Sequence, residues 1–289
     1  EYFDEAAKTR IQYRKKRSYY WDSITEYCNF FIDNDSSVLE IGCGTGELIG
    51  KINGKNKVGT EISQNMINAA RQQFPSVEFI CCPAENIQTD QKFDVIILSN
   101  LIGYLVDIQH VFEGLHKFCN DNTKIIITYY SHFWEPFIKF AEFIKIKKKG
   151  PRQSWISSKD LSNLLYLSGF ETYRQHASMI FPFYIPLISP FLNKFISRLP
   201  LINALSLNIF SFARPVSCID KDQIKDKYST SIVIPARNES GNIENAILRI
   251  PEFGKHIEII FVEGNSTDDT WEKIQEVRQK YKNTHDIKI

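Results

Sequence analysis

Short unbroken apolar runs alternate along the chain with longer stretches in which apolar residues recur at helical spacing, and this alternation predicts the elements. Tyr13, Tyr20, Ile24, Tyr27 and Phe31 share a helical face, predicting one or two amphipathic helices over residues 2 to 31 that lead into the first strand and cap what lies beyond it. Strands are predicted at Ser37 to Ile41, Lys57 to Thr60, Val77 to Cys81, Phe93 to Ser99 and Lys124 to Tyr129. Several of these are rich in Val and Ile with no alternation, as suits a parallel sheet covered on both faces. Between them fall a helix to about Ile52, a second after Ser63 as N-cap, and a third over about Val106 to Phe118. Ser157 and Ser158 open a further helix ending at Gly169, and Phe170 to His176 and Leu207 to Ala213 bring the strands to seven. Such alternation implies right-handed crossovers and helices on both faces of an α/β sheet.

One joint carries more chemistry than the rest. Val38-Leu39-Glu40-Ile41-Gly42-Cys43-Gly44-Thr45-Gly46 runs a buried strand into a turn paved with three glycines, where the backbone approaches a ligand without Cβ clashes. The spacing is G-x-G-x-G, and the position where a dinucleotide-binding loop places its last glycine is Glu47. An acid there is a poor neighbour for a diphosphate and a tolerable one for a ligand carrying a sulfonium and an ammonium. In these residues the chain resembles the class I S-adenosylmethionine-dependent methyltransferases, and the seven strands, the last two joined as a long hairpin, extend that resemblance over about residues 1 to 215.

The resemblance implies a seven-stranded Rossmann-like sheet with helices on both faces, S-adenosylmethionine as cofactor, and a set of contacts. Glu40, Gly42, Cys43, Gly44 and Gly46 would form the cofactor turn. Glu61, nineteen residues beyond Gly42, would accept from the ribose hydroxyls. Ile62 and Met66 would sandwich the adenine, with ordinary helix packing as the alternative. Pro83 stands where the family often has an Asp toward the adenine amino group, leaving the backbone of Ala84 and the side chain of Glu85 to read the base. Ser99 and Asn100 close the fourth strand beside the methyl-donor pocket.

Methyl transfer from a sulfonium needs an acceptor lone pair held in line within a dry pocket, so no fixed catalytic triad follows. A hydroxyl acceptor would be helped by a general base, and His110, His132, Glu135 and Tyr104 are the candidates by position. Tyr129 to Trp134 is expected to wall the acceptor side, with plain core packing as its alternative. An apolar insertion over about 177 to 206 has no formal charge from Gln175 to Asn193, and four prolines, Pro182, Pro186, Pro190 and Pro200, interrupt it. That spacing does not suit a spanning helix. It predicts a flap over the acceptor, or a peripheral contact with the inner face of a membrane through about 180 to 206, against the alternatives of a hydrophobic lid or dimer contact.

Composition trims the list of roles. A net charge of +1 gives no general argument for nucleic acid, and the basic clusters Arg10 to Arg17 and Lys139 to Arg152 read as solvated helix faces. Six cysteines without a C-x-x-C pair suggest reduced thiols, no metal site and a cytoplasmic location. No signal peptide is seen, and the absent initial Met suggests an origin inside a longer reading frame.

After a charged linker at 216 to 228 a second segment begins, over 229 to 289. Ser231 to Glu239 is a buried strand running into Pro235-Ala236-Arg237-Asn238-Glu239, and Phe261 to Thr270 contains Glu263-Gly264-Asn265-Ser266. Together these resemble the nucleotide-binding half of family 2 glycosyltransferases of the GT-A fold, here truncated. By that resemblance Pro235, Arg237, Glu239 and Glu263 would hold a sugar nucleotide. The family's D-D-G-S reads E-G-N-S, and the chain reaches Ile289 before any D-x-D motif, so this half is not expected to transfer sugar by itself. The combination points to methylation of a glycan or polyprenyl-linked sugar by a bifunctional protein. The rivals are a non-catalytic S-adenosylmethionine-binding scaffold and an NAD-dependent sugar-nucleotide enzyme.

Overall fold

Residues 93–99, the run Phe-Asp-Val-Ile-Ile-Leu-Ser, supply a strand buried on both faces, and the rest of the sheet assembles around it in the computed structural model of the protein. The structure describes residues 2–5, 7, 10, 18–144, 151, 153–203, 205–216, 228–251 and 255–289. The chain divides into two compact units, Glu1–Val216 and Ser217–Ile289.

In the first unit the strands are β1 (Ser37–Ile41), β2 (Asn56–Glu61), β3 (Glu78–Cys81), β4 (Phe93–Ser99), β5 (Cys119–Tyr130), β6 (Phe170–Ser178) and β7 (Asn208–Pro215). They lie in the order β3-β2-β1-β4-β5-β7-β6. The first five are mutually parallel, and β7 runs antiparallel to both β5 and β6. This is the expected α/β sheet with its closing hairpin. The helices are α1 (Ser18–Asn29), α2 (Glu47–Lys51), α3 (Gln64–Gln73), α4 (Ile108–Leu115), α5 (Glu135–Phe143), α6 (Ser158–Leu167), α7 (Ile188–Lys194) and α8 (Pro200–Asn203). Two apolar layers flank the sheet: one packs α1, α2 and α3 against Val38, Val95, Ile97 and Phe212, the other packs α4 and α6 against Leu39, Ile41, Ile96 and Ile127.

Some boundaries depart from expectation for local reasons. The helix predicted over 106 to 118 begins at Ile108, because the side chain of Asp107 accepts the N–H of His110 as its N-cap, and its last turn tightens to a 3-10 turn at His116–Phe118. β5 starts earlier than Lys124: Cys119 pairs with Phe93, the register shifts, and Thr123 bridges the irregularity by donating to the carbonyl of Phe93 at 2.7 Å. Aromatic spacing before the first strand resolves into α1, which buries Tyr20, Ile24 and Cys28; Tyr13 and residues 217–227 of the linker expected at 216 to 228 lie outside the described residues. Ser63 and Ser157 cap their helices as expected, accepting from the N–H groups of Met66 and Asp160.

The second unit contains β8 (Ser229–Ala236), α9 (Ile243–Leu248), β9 (His256–Glu263), α10 (Thr270–Lys280) and β10 (Asp286–Lys288), with a parallel sheet in the order β10-β9-β8. Ile243, Ile247, Ile259, Phe261, Ile274 and Val277 make its core.

Candidate active site

Strand order reverses between β1 and β4, and in an open parallel sheet the crevice beyond the carboxyl ends of such a pair is where a ligand binds. The glycine turn lies there. Gly42, Gly44 and Gly46 have φ of 74°, 59° and 80°, the left-handed region that other residues enter only with strain. The turn is held from two sides. Gly42 and Cys43 donate their N–H groups to the carbonyl of Thr60 at 2.8 and 2.9 Å, and Glu61 Oε2 accepts the N–H of Gly44 at 3.0 Å. The other oxygen of Glu61 accepts the N–H of Ser63 at 3.1 Å, so this buried carboxylate joins the turn to the start of α3.

Glu40 stands behind the turn. Its side chain is 1% exposed and accepts the N–H of Ile49 at 2.9 Å, satisfying one of the donors left open at the start of α2. Its charge also helps hold the buried thiol of Cys43 well above the usual range, after burial itself. Cys43 is therefore an inert packing group in the turn, its sulfur occupying the space in which a Cβ on Gly59 would lie.

The N-terminal residues close over this turn, as the first predicted helices were expected to do. Asp4 accepts from the Ser63 hydroxyl at 2.6 Å, and Phe3 meets Tyr104 edge to face with ring centroids 5.8 Å apart. Arg10 lies against Gly44, with Nη2 2.8 Å from where a Cβ would sit, and its Nε is buried with no hydrogen-bond partner. The sequence pattern puts Arg10 in a solvated basic face; the fold places it against Gly44 of the glycine turn. The only linear signal was a cation upstream of the first strand, which does not separate it from its neighbours at 14 to 17. An orphaned guanidinium nitrogen beside a buried carboxylate and a three-glycine cradle fits a ligand with both a carboxylate and hydroxyl groups, as S-adenosylmethionine has.

The other expected contacts divide. Ile62 is 57% exposed and offers a face to an aromatic base, whereas Met66 is fully buried on α3. Ala84 and Glu85 sit in a 3-10 turn after β3, with Glu85 exposed. Ser99 shares a 3.1 Å hydrogen bond with Thr128, and Asn100 is forced to a φ of 51° where β4 ends. The Asn100 side chain donates to the hydroxyl of Tyr20 at 3.3 Å, that hydroxyl donates to Asn208 Oδ1 at 3.4 Å, and Asn100 Oδ1 remains buried without a partner. Non-glycine strain of this kind at a strand end gathers at functional sites.

Among the base candidates His132 and Glu135 come together, with His132 Nδ1 3.3 Å from Glu135 Oε2. A carboxylate on one ring nitrogen orients the imidazole and leaves Nε2 toward a reactant. His110 is exposed in the first turn of α4. At Tyr104 desolvation first, then the neighbouring hydroxyls of Tyr130 and Tyr2, push the hydroxyl up to about 12, so it keeps its proton at neutral pH. The predicted acceptor wall also divides. Tyr129 points into the core and donates to Ser158 at 3.1 Å, as the alternation of a strand requires, while Tyr130 stacks on Tyr20 with centroids 6.2 Å apart and Phe133 is exposed. A groove of about 420 Å³ runs along β6 and α6, lined by Ser162, Tyr166, Tyr173 and Gln175 among others, and includes none of the candidate residues.

In the second unit Ala236 and Glu263 are register partners at the carboxyl ends of β8 and β9, so Pro235, Arg237, Glu239 and Glu263 gather at one sheet edge. Glu263 accepts the N–H groups of Asn265 and Ser266 at 3.0 and 2.6 Å, and these bonds, those from Ser266 foremost, hold its carboxyl below the ordinary range. Glu239 accepts from the Asn242 amide. Among the described residues no His, Cys, Asp or Glu cluster could hold a metal ion, and no helix is long and apolar enough to cross a membrane.

Comparison with known proteins agrees with this geometry. A family model described as a methyltransferase domain matches residues 13–175, and one described as glycosyl transferase family 2 matches residues 231–289. The ubiquinone/menaquinone biosynthesis C-methyltransferase UbiE of Campylobacter jejuni is 26% identical over 150 residues, 48% of this chain and 64% of that protein. A malonyl-[acyl-carrier protein] O-methyltransferase of Bacillus cereus is 28% identical over 152 residues, 49% of this chain and 56% of its own length. The chain thus spans less than two thirds of the length of these curated relatives. Among solved structures, a SAM-dependent methyltransferase of Thermotoga maritima, described as a possible histamine N-methyltransferase, superposes with a TM-score of 0.58 at 17% identity, covering 74% of this chain and 98% of that one. A putative methyltransferase of Haloferax volcanii, solved with its Trm112 activator, gives 0.57 at 14% identity over 74% of this chain and 97% of its own. At these identities the likeness is one of fold.

Proposed function

Because the chain belongs to the methyltransferase-domain family, we propose that it moves a methyl group from S-adenosylmethionine to a glycan or a lipid-linked sugar, as one half of a bifunctional methyltransferase and glycosyltransferase. One observation carries the cofactor: a three-glycine turn in left-handed conformation, flanked by the buried carboxylate of Glu61 and the unpaired Nε of Arg10. The donor, when bound, supplies an activated methyl on a sulfonium. Arg10 would hold the amino-acid carboxylate, Glu61 the ribose hydroxyls through lone pairs left beside its two backbone bonds, and Ile62 one face of the adenine.

The acceptor assignment rests on the similarity of residues 231–289 to family 2 glycosyltransferases in the same chain. Two transferases joined on one polypeptide act most economically on one product. For a hydroxyl acceptor the chain offers His132 as general base, oriented by Glu135.

Calorimetry with S-adenosylmethionine and NAD in parallel tests the cofactor: binding of the first and not the second is expected, and NAD alone would overturn the reading. Mass spectrometry of glycolipids from cells lacking the full-length protein tests the acceptor, with the loss of a single methyl expected. Glycolipids of unchanged mass would remove the glycan assignment while leaving the cofactor site in place.

A further inference from the structure

Residues 179–207 leave the sheet at the end of β6 and return at the start of β7, on the edge that carries the glycine turn. Their side chains are sorted opposite to those of an ordinary surface loop. The polar ones face inward and are spent on backbone groups of the segment and of the end of β6, and on the Tyr19 hydroxyl of α1, to which the Asn193 amide donates at 3.2 Å. Asn193 Oδ1 accepts the N–H groups of Ile180 and Phe181 at 2.9 and 3.0 Å, and its amide donates to the Phe181 carbonyl at 2.8 Å. Ser189, fully buried, accepts the N–H of Ile185 and donates to the carbonyl of Phe183, each at 2.7 Å. Asn203 donates to the carbonyls of Ala177 and Ser197 at 3.1 and 3.0 Å.

The apolar side chains face outward. Phe183, Tyr184, Leu187, Ile188, Phe191 and Phe195 are between 52% and 87% exposed, and Leu187, the most exposed, sits at the N-terminus of α7 with a φ of 66°. A lid would turn this face toward the pocket. An aqueous loop would show its serines and asparagines. A segment that satisfies its backbone internally and presents aromatic and branched side chains meets the requirement of a hydrocarbon boundary, where unpaired peptide groups have no water to bond. Charge agrees: no Asp or Glu occurs between Glu171 and Asp220, while the exposed Lys194 stands between Phe191 and Phe195 in the chain. That is the balance attracted to anionic headgroups.

We propose that residues 181–205 form a foot that inserts, Leu187 and α7 first, into the headgroup boundary of an anionic phospholipid bilayer. The Trp134 indole donates to the carbonyl of Leu205 at 2.8 Å, so the foot is fastened to the strand-end segment that carries His132, and an acceptor embedded in the same bilayer would arrive beside the candidate base. The foot is argued from its own side chains and does not depend on the methyl-transfer reading.

The test is vesicle flotation of the intact chain, with phosphatidylcholine alone and with roughly one third phosphatidylglycerol added, comparing wild type with the double variant Leu187→Asp, Ile188→Asp. Both positions are exposed, and Asp tolerates the left-handed region at 187 better than Leu does, so the fold should survive. Wild type is expected to float with the anionic vesicles, and the double variant to bind them at least about tenfold more weakly. Calorimetric binding of S-adenosylhomocysteine should be the same in both. Hydrogen exchange of the wild-type peptide spanning 183–195 should slow when anionic vesicles are added, a readout that needs no variant. Failure of wild type to float with either vesicle, equal flotation of the two proteins, or unchanged exchange would overturn the proposal. So would self-association in sedimentation velocity that the double variant abolishes without vesicle binding, which would assign the face to a second copy. A chain that floats but binds no S-adenosylhomocysteine would sink the cofactor reading and leave this one standing.

Discussion

Glu61, the last residue of β2, accepts the backbone N–H of Gly44 at 3.0 Å, so the second strand holds in place the turn that follows the first. Its second oxygen is taken by the N–H of Ser63. Glu61→Gln places an amide where two backbone donors already point, and one of them must lose its acceptor. A hydrogen bond to a charged group is worth about 1.5–3 kcal/mol, so affinity for S-adenosylhomocysteine should fall by roughly 10- to 100-fold. Calorimetry reads this directly, and unchanged affinity would refute the assignment.

Two glycines predict opposite outcomes. An Ala at Gly44 would hold a φ of 59° with its Cβ 2.8 Å from Arg10 Nη2, and should lose about 1–3 kcal/mol of stability together with cofactor affinity. Gly114, within α4, has nothing within 4 Å of an added Cβ, and Gly114→Ala should gain about 0.5–1 kcal/mol with binding unchanged. Thermal melts and calorimetry on the pair separate turn geometry from general tolerance.

If His132 is the base, His132→Gln should lower methyl transfer to a glycolipid extract by about 100-fold or more, with S-adenosylhomocysteine affinity unaffected. Glu135→Gln should lower it less, because the ring loses its orienting partner and keeps its nitrogen. Desolvation pushes the Tyr104 hydroxyl up to about 12. Tyr104→Phe should therefore leave the shape of the pH–rate profile unaltered, and a lost basic limb would return Tyr104 to the list of bases.

Asp94 joins the starts of β4 and β1. It accepts the N–H and the hydroxyl of Ser37, both at 2.8 Å, and these bonds hold its carboxyl below the usual range. With the folded value depressed, the stabilisation is present above the unfolded value near 4 and is lost as pH falls through the lower folded value. Asp94→Asn should be less stable at neutral pH by about 0.5–1 kcal/mol, a figure reduced for the exposure of the pair. The difference from wild type should narrow below pH 4 in denaturant titrations; a gap that stays constant with pH would show that the charge is not the cause.

Wherever side-chain type and local spacing suffice, the sequence determined the outcome: the buried strands, the helices between them, the serine caps, the glycine turn and the acid at the end of β2 all depend on residues within one or two turns of each other. What only the tertiary structure decided depends on direction and distance across the fold. Arg10 is one cation among several until the fold sets its guanidinium against Gly44. Glu40 reads as the acid before a glycine turn, and only strand alternation shows that it accepts the Ile49 N–H at the start of α2. Tyr129 and Tyr130 are adjacent in sequence and face opposite sides of β5. The apolar run after β6 is legible as unusual, but whether its hydrophobic face points in or out is a matter of how Asn193, Ser189 and Asn203 spend their hydrogen bonds, and those partners are known only once the chain has folded.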